Sequence, residues 1–216
     1  RSSAASDVYK RQHAIINKRS ILLSPTASGK SLIIYCIVRM MTTLHKRTLL
    51  IVPTTSLVEQ MYKDFEDYGW KAEDYVQRKY YGYDIDENKP VVVSTWQSLA
   101  TFDKKYFEQF DCVIGDEAHL YKSKELQKIM SACVNANFRI GTTGTLDDSK
   151  VHKLVLEGLF GRVHNVTTTR ELIDKQQLAD LKIDCLILKY PKEDCMQIKN
   201  STYPVSYTHL TLPTIE

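Results

Sequence analysis

At 216 residues the chain has room for one large domain or two small ones, at roughly 100–200 residues per domain. With 43% hydrophobic and 25% charged residues it is neither collagen-like, nor coiled-coil, nor wholly disordered. The net charge of +3, from 29 basic and 26 acidic residues, excludes a global basic field, so any nucleic-acid surface has to be local.

In chain order, the opening Arg1-Ser2-Ser3-Ala4-Ala5-Ser6 lacks the apolar core of a secretory signal. The segments Ser6 to Gln12 and Val205 to Thr214 fit no neighbouring element and read as translated sequencing-adaptor tails. We therefore expect a non-native leader over 1–12, one folded domain over 13–180, a truncated linker or second domain over 181–204 and a non-native tail over 205–216. Short apolar runs then alternate with helical patterns. Ile21-Leu22-Leu23, Leu49 to Val52, Val91-Val92-Val93, Cys112-Val113-Ile114 and Phe138-Arg139-Ile140 are continuous rather than alternating, as in strands covered on both faces. They predict an α/β fold with a doubly wound, mostly parallel sheet and helices on both faces.

The longest apolar run, Leu32 to Val38, is seven residues, far short of the ~18 that span a membrane. Between the second and third strands, Ser56 with Glu59 forms a capping box, and Leu57, Met61 and Phe65 follow at helical spacing. Gly69 falls where a left-handed C-terminal residue belongs. Leu181 to Leu188 reads as a further strand, with a break at Tyr190-Pro191. The five cysteines, Cys36, Cys112, Cys133, Cys185 and Cys195, form no CxxC pair. They suit small apolar positions in a reducing cytoplasm, the expected location.

Two motifs carry chemistry. Ser24-Pro25-Thr26-Ala27-Ser28-Gly29-Lys30-Ser31 matches G-x-x-x-x-G-K-[ST] except at Ser24. In a strand–loop–helix setting, the backbone from Thr26 to Gly29 converges on phosphate, Lys30 reaches the β/γ-phosphates and the Ser31 hydroxyl ligates Mg²⁺. The other is Asp116-Glu117-Ala118-His119, directly after a strand, where open α/β sheets bind ligands. Asp116 is suited to holding Mg²⁺, and Glu117 to deprotonating the attacking water. His119 is placed to report nucleotide state by hydrogen bonding. A chance Gly-Lys-Ser and a solvated acidic loop are the plain alternatives.

Taken together, the phosphate loop and Asp-Glu-Ala-His resemble motifs I and II of superfamily 2 helicases, many of which have Ser or Ala at the first loop position. Val52-Pro53-Thr54-Thr55-Ser56-Leu57 with Gln60 is similar to motif Ia, and Ser94-Thr95-Trp96-Gln97-Ser98-Leu99 to the T-x-Q-S-L contact. Gly141-Thr142-Thr143-Gly144-Thr145-Leu146 is similar to motif III. The downstream stretch, Gly158 to Ile183, resembles the recombination-type DNA helicases of T4-like phages. The resemblance implies a RecA-like, DEAH-type domain that uses ATP and Mg²⁺ to drive unwinding or remodelling of single-stranded or branched DNA. It assigns nucleic-acid contacts to Pro53, Thr54, Thr55, Thr95 and Gln97, and coupling to His119, Thr143 and Thr145. It also implies a second domain with an arginine finger. No such motif follows Tyr190, so this chain alone is expected to bind Mg-ATP weakly and hydrolyse it hardly at all. A missing finger lowers phosphoryl transfer by ~10³–10⁵. The adenine-reading glutamine belongs upstream of Ala14, and Gln12 is not assigned that role.

The residues alone leave alternatives open. Thr54, Thr55, Ser94 and Thr95 follow strands, where hydroxyls bind a sugar-phosphate backbone but also cap helices, Ser56 above all. Tyr75, Tyr80, Tyr81 and Tyr83 interleave with Arg78 and Lys79, a mix that stacks bases or merely packs an excursion. Trp96 reads as packing, and His45, His152 and His164 have no metal-ligand spacing. An RNA helicase, a restriction-enzyme motor, a non-catalytic binding module with a relic ATP site and a P-loop kinase are the competing functions. A kinase has no use for Thr95, Gln97 or the acidic motif.

Overall fold

A computed structural model describes residues 17–25, 28–80, 88–146 and 150–174. All of them fall within the first of the two units into which the chain divides, Arg1–Leu178. Thr26, Tyr81, Tyr83 and the expected strand at 181–188 lie outside the described residues.

The first half runs β1 (Arg19–Leu23), α1 (Lys30–Thr43), β2 (Thr48–Val52), α2 (Thr55–Asp67), α3 (Ala72–Tyr75), β3 (Val76–Lys79) and β4 (Val91–Thr95). Short helices α4 (Trp96–Leu99) and α5 (Lys104–Phe107) lead to β5 (Cys112–Asp116) and a 3-10 turn, Ala118–Lys122. Then come α6 (Lys124–Ala132), β6 (Phe138–Thr143), α7 (Lys150–Phe160), β7 (Val163–Asn165) and α8 (Thr169–Asp174). The strands form one seven-stranded sheet in the order β3-β4-β2-β5-β6-β1-β7, with every pairing parallel.

Side-chain alternation along the central strands feeds two cores. Leu22, Leu50, Val52, Val93 and Ile114 point to the face covered by α1 and α2, through Ile33, Ile37, Met41, Val58, Met61 and Phe65. Ile21, Leu49, Ile51, Val92 and Val113 point to the other face, covered by Leu99, Phe107, Leu126, Ile129, Leu156 and Phe160. Burying each such side chain contributes about 1.5–3 kcal/mol, which explains why the strands read as unbroken apolar runs.

Register fixes the edge that matters. Leu23 pairs with Thr143, Asp116 with Thr142, Gly115 with Ile51, and Val52 with Thr95. The carboxyl ends of five strands therefore finish level, and the loops after them share one rim. Three expectations need correction here. The cap of α2 is Thr54, whose side chain accepts from the Leu57 N–H at 3.3 Å, while Ser56 sits inside the first turn. Ser94 and Thr95 are not loop residues; they end β4 and are buried. Two edge strands, β3 and β7, join the five expected ones.

Candidate functional site: a phosphate loop facing an acidic turn

Beyond β1 come Ser24 and Pro25, and Ser28 and Gly29 lead into α1. The Ser24 N–H donates to the Thr143 carbonyl at 2.9 Å, tying the loop to β6. The Ser24 and Ser28 hydroxyls lie 2.6 Å apart, and the Ser28 hydroxyl donates to the Pro25 carbonyl at 2.5 Å. These short bonds join the residues after β1 to the residue two before the helix start. Gly29 precedes α1 at φ 79°, with open space where a Cβ would lie. Backbone conformation, not crowding, is what calls for glycine there. No side chain caps α1, so its first N–H groups are available to an anion.

On the neighbouring rim, β5 ends at Asp116. The Thr142 hydroxyl donates to its Oδ1 at 2.8 Å, across the β5–β6 pair. Burial pushes the Asp116 carboxyl above its ordinary value; the Thr142 hydroxyl and the Glu117 N–H act against this, the Glu117 charge adds to it, and Lys30 opposes it. Glu117 then adopts φ 49°, ψ 55°, a left-handed conformation uncommon for a non-glycine residue. That bend turns the carboxylate back toward the phosphate loop.

Three motifs meet at this bend. The Lys30 ammonium lies 3.3 Å from Glu117 Oε1, and His119 Nδ1 lies 3.2 Å from Glu117 Oε2. His119 Nδ1 is also 2.9 Å from Thr143 Oγ1, whose own proton goes to the Thr145 carbonyl at 2.8 Å. With the threonine proton so directed, the consistent tautomer carries its proton on Nδ1 and shares it between Thr143 and Glu117. Lys30, Glu117, His119, Thr143 and Thr145 thus form one continuous polar chain, with Thr145 taking part through its backbone.

The donors suit a hard divalent cation held mostly by water and phosphate. Asp116 has a second carboxylate oxygen beyond the one Thr142 occupies, and no cluster of three His, Cys, Asp or Glu residues occurs among the described residues. The Ser31 hydroxyl lies 3.1 Å from the Tyr68 hydroxyl, a partner the sequence did not indicate, and must leave it to ligate a metal.

Along the same rim, Thr55 and Gln97 are exposed and Pro53 is half-buried. Thr54 is exposed but spent as the α2 cap. Thr95 accepts from the Ser98 N–H at 3.4 Å, capping α4, and Ser94 donates to the Lys79 carbonyl at 2.5 Å. The described residues of the tyrosine-rich excursion do not share one surface. Tyr80 and Arg78 both bond Glu59, while Lys79 lies buried beside the Phe102 and Tyr106 rings.

Fold and site together define the N-terminal RecA-like ATP-binding domain of a superfamily 2 helicase. The family described as type III restriction enzyme, res subunit, matches residues 4–148, and the chain belongs to it. It is 36% identical over 194 residues to the ATP-dependent DNA helicase uvsW of Enterobacteria phage T4, covering 88% of this chain and 39% of that protein. A crystal structure of T4 UvsW superposes with a TM-score of 0.69 at 33% identity, over 93% of this chain and 40% of that one. The Pyrococcus furiosus Hef helicase domain shares the fold, with a TM-score of 0.64 at 18% identity, over 96% of this chain and 49% of that one. The chain thus spans well under two thirds of these relatives. Among the described residues no helix is long and apolar enough to cross a membrane.

Proposed function

We propose that this chain is the nucleotide-binding half of an ATP-dependent DNA helicase or branch-remodelling translocase, with its motor domain over residues 13–180. The observation that carries the reading is the unbroken polar chain from Lys30 through Glu117 and His119 to Thr143, which links the phosphate loop to two other motifs on one rim. Mg-ATP entering the loop draws Lys30 to its phosphates and so frees Glu117, which then orients and deprotonates water. Asp116 and Ser31 would hold Mg²⁺, which would neutralise charge on the phosphates. Loss of the Lys30 contact alters what His119 shares with Thr143, and this carries nucleotide state toward the nucleic-acid rim at Pro53, Thr54, Thr55, Thr95 and Gln97. DNA, which the T4 relative's name gives as that protein's substrate, is the expected track here, in the cytoplasm, of a bacterial host if the chain is phage-encoded.

Hydrolysis of Mg-ATP by the intact protein that carries the second domain, and binding of a fluorescent ATP analogue, each measured with DNA and with RNA, test this. Lys30→Ala should weaken analogue binding at least tenfold. Glu117→Gln should keep binding while lowering DNA-stimulated hydrolysis by about 10²–10⁴. Nucleic-acid binding indifferent to both substitutions, with no hydrolysis to lose, would leave a relic ATP site instead. Stimulation by RNA alone would replace the DNA assignment.

A further inference from the structure

A second feature lies on the opposite rim, where β2 and β4 begin. A cavity of about 590 Å³ opens there, bounded by the end of α1, the α1–β2 connection and the segment after α2. Its walls include Arg39, His45, Lys46 and Arg47, together with Trp70 and Tyr75. Among the described residues this basicity is only partly offset. Asp111 pairs with the Lys46 ammonium at 3.0 Å and takes the Arg47 backbone N–H at 3.0 Å. The Arg47 guanidinium donates instead to the Asn88 side-chain oxygen at 2.6 Å, and its Nε is buried without an acceptor. Neither Arg39 nor His45 pairs with a carboxylate among the described residues.

Arg39 is held in a way that leaves it open to a ligand. Its guanidinium lies 5.0 Å from the centre of the Trp70 ring. An aromatic face steadies a guanidinium without consuming its N–H donors, which remain available in the fork that matches phosphate. Trp70 is itself 4% exposed and pinned by Phe65, so the platform is rigid. Tyr75 stacks on Trp70 at 5.2 Å between centroids, yet remains 39% exposed. A pre-positioned arginine beside an exposed, supported aromatic ring combines the two contacts that single strands require, phosphate neutralisation and base stacking.

We propose that this cleft binds a single-stranded nucleic acid, with Arg39 on a phosphate and Tyr75 against a base. It lies at the end of the sheet opposite the nucleotide loop, and stands whether or not Glu117 is catalytic. A strand held here and another on the Thr55–Gln97 rim would engage two arms of one branched molecule. A free nucleotide offers the same phosphate and ring, so the test separates the two sources.

The test is fluorescence anisotropy of a labelled oligothymidylate across a salt series without ATP, with thymidine monophosphate and inorganic phosphate as separate probes. Arg39→Gln should weaken binding roughly five- to tenfold and reduce the slope of log K against log salt by about 1, the loss of one phosphate contact. Tyr75→Ala should weaken binding at least about fivefold with the slope unchanged. Arg39→Lys, which keeps the charge, should preserve the slope and guards against a folding artefact, as does an unaltered thermal midpoint. The proposal is overturned if Arg39→Gln leaves affinity and slope as they were. It is equally overturned if that substitution abolishes binding of the monophosphate while the oligonucleotide binds as before.

Discussion

Asp116 keeps its carboxyl where burial disfavours the charged form. It is 9% exposed, burial raises its pKa, and the Lys30 ammonium that opposes the shift is shared with Glu117. A carboxyl whose folded pKa lies above its unfolded one keeps more protons on the native chain in between. Its contribution to stability is therefore complete below the ordinary carboxylate value of 3.8 and declines as pH rises through the raised one. Asp116→Asn keeps an oxygen for the Thr142 hydroxyl and removes the charge. We expect it to raise the thermal midpoint at neutral pH by roughly 2–4 °C, what about 1 kcal/mol gives in a chain of this size, and to abolish Mg-dependent hydrolysis by the intact two-domain protein. Melting curves recorded from pH 4 to 7 decide the matter; a variant less stable than the parent at pH 7 would show that the charge is already well compensated. Cys112 and Cys133 are the contrasting case. Burial pushes both thiols up to about 12, so they remain protonated and serve as small apolar residues.

At the scale of the element, α2 is bounded by capping at both ends. Thr54 caps its start, and at its end the Gly69 N–H reaches the Glu66 carbonyl while the Trp70 N–H reaches that of Phe65. With Gly69 at φ 81° and Trp70 packed on Phe65, this is a Schellman arrangement with its hydrophobic contact. Thr54→Ala should therefore cost about 1 kcal/mol by chemical denaturation, whereas Ser56→Ala should stay within about 0.5 kcal/mol. Equal costs would mean that the cap is shared. The sequence signals Gly69 clearly but misplaces the cap, because Thr54, Thr55 and Ser56 are all competent and only the turn's register chooses among them. Glu59, the supposed capping-box partner, is drawn to Arg78 on β3 and to Tyr80 just after it. The strands divide along similar lines. Central β2 and β5 are apolar on both faces and visible as runs. Val76–Lys79 and Val163–Asn165 are short, polar edge strands whose pairing depends on neighbours distant in sequence. The phosphate loop and acidic turn are legible because each is a local string. The Ser31–Tyr68 contact and the Arg39 platform are not, since each joins residues from separate elements.

Across the whole molecule, the acidic turn keeps its position because the sheet beneath it lacks side chains at two points. A Cβ on Gly115 would stand 2.6 Å from the Tyr121 ring and 2.8 Å from that of Phe160. A Cβ on Gly141, on the next strand, would stand 2.9 Å from Ala118 Cβ. Tyr121 belongs to the 3-10 turn and Phe160 to α7, and their rings meet edge to face at 4.9 Å. Two elements thus converge on the bare backbone just before Asp116, and their packing sets where Glu117 and His119 stand. Gly115→Ala cannot be absorbed by one flexible side chain, because both rings are fully buried. We expect a loss of about 1–3 kcal/mol in stability, the usual range for overpacking. A fall in hydrolysis beyond any change in nucleotide binding should accompany it, because the turn shifts while the phosphate loop does not. Gly158→Ala, on an open stretch of α7 with no atom within 4 Å of the new methyl, serves as the control. It should gain roughly 0.5–1 kcal/mol from helix propensity and leave hydrolysis unchanged. Denaturant midpoints of the two variants, and their steady-state rates in the intact protein that carries the second domain, separate the cases. If Gly115→Ala proves as harmless as Gly158→Ala, the turn is positioned by its own bonds to Lys30 and Thr143 and not by the sheet it rests on.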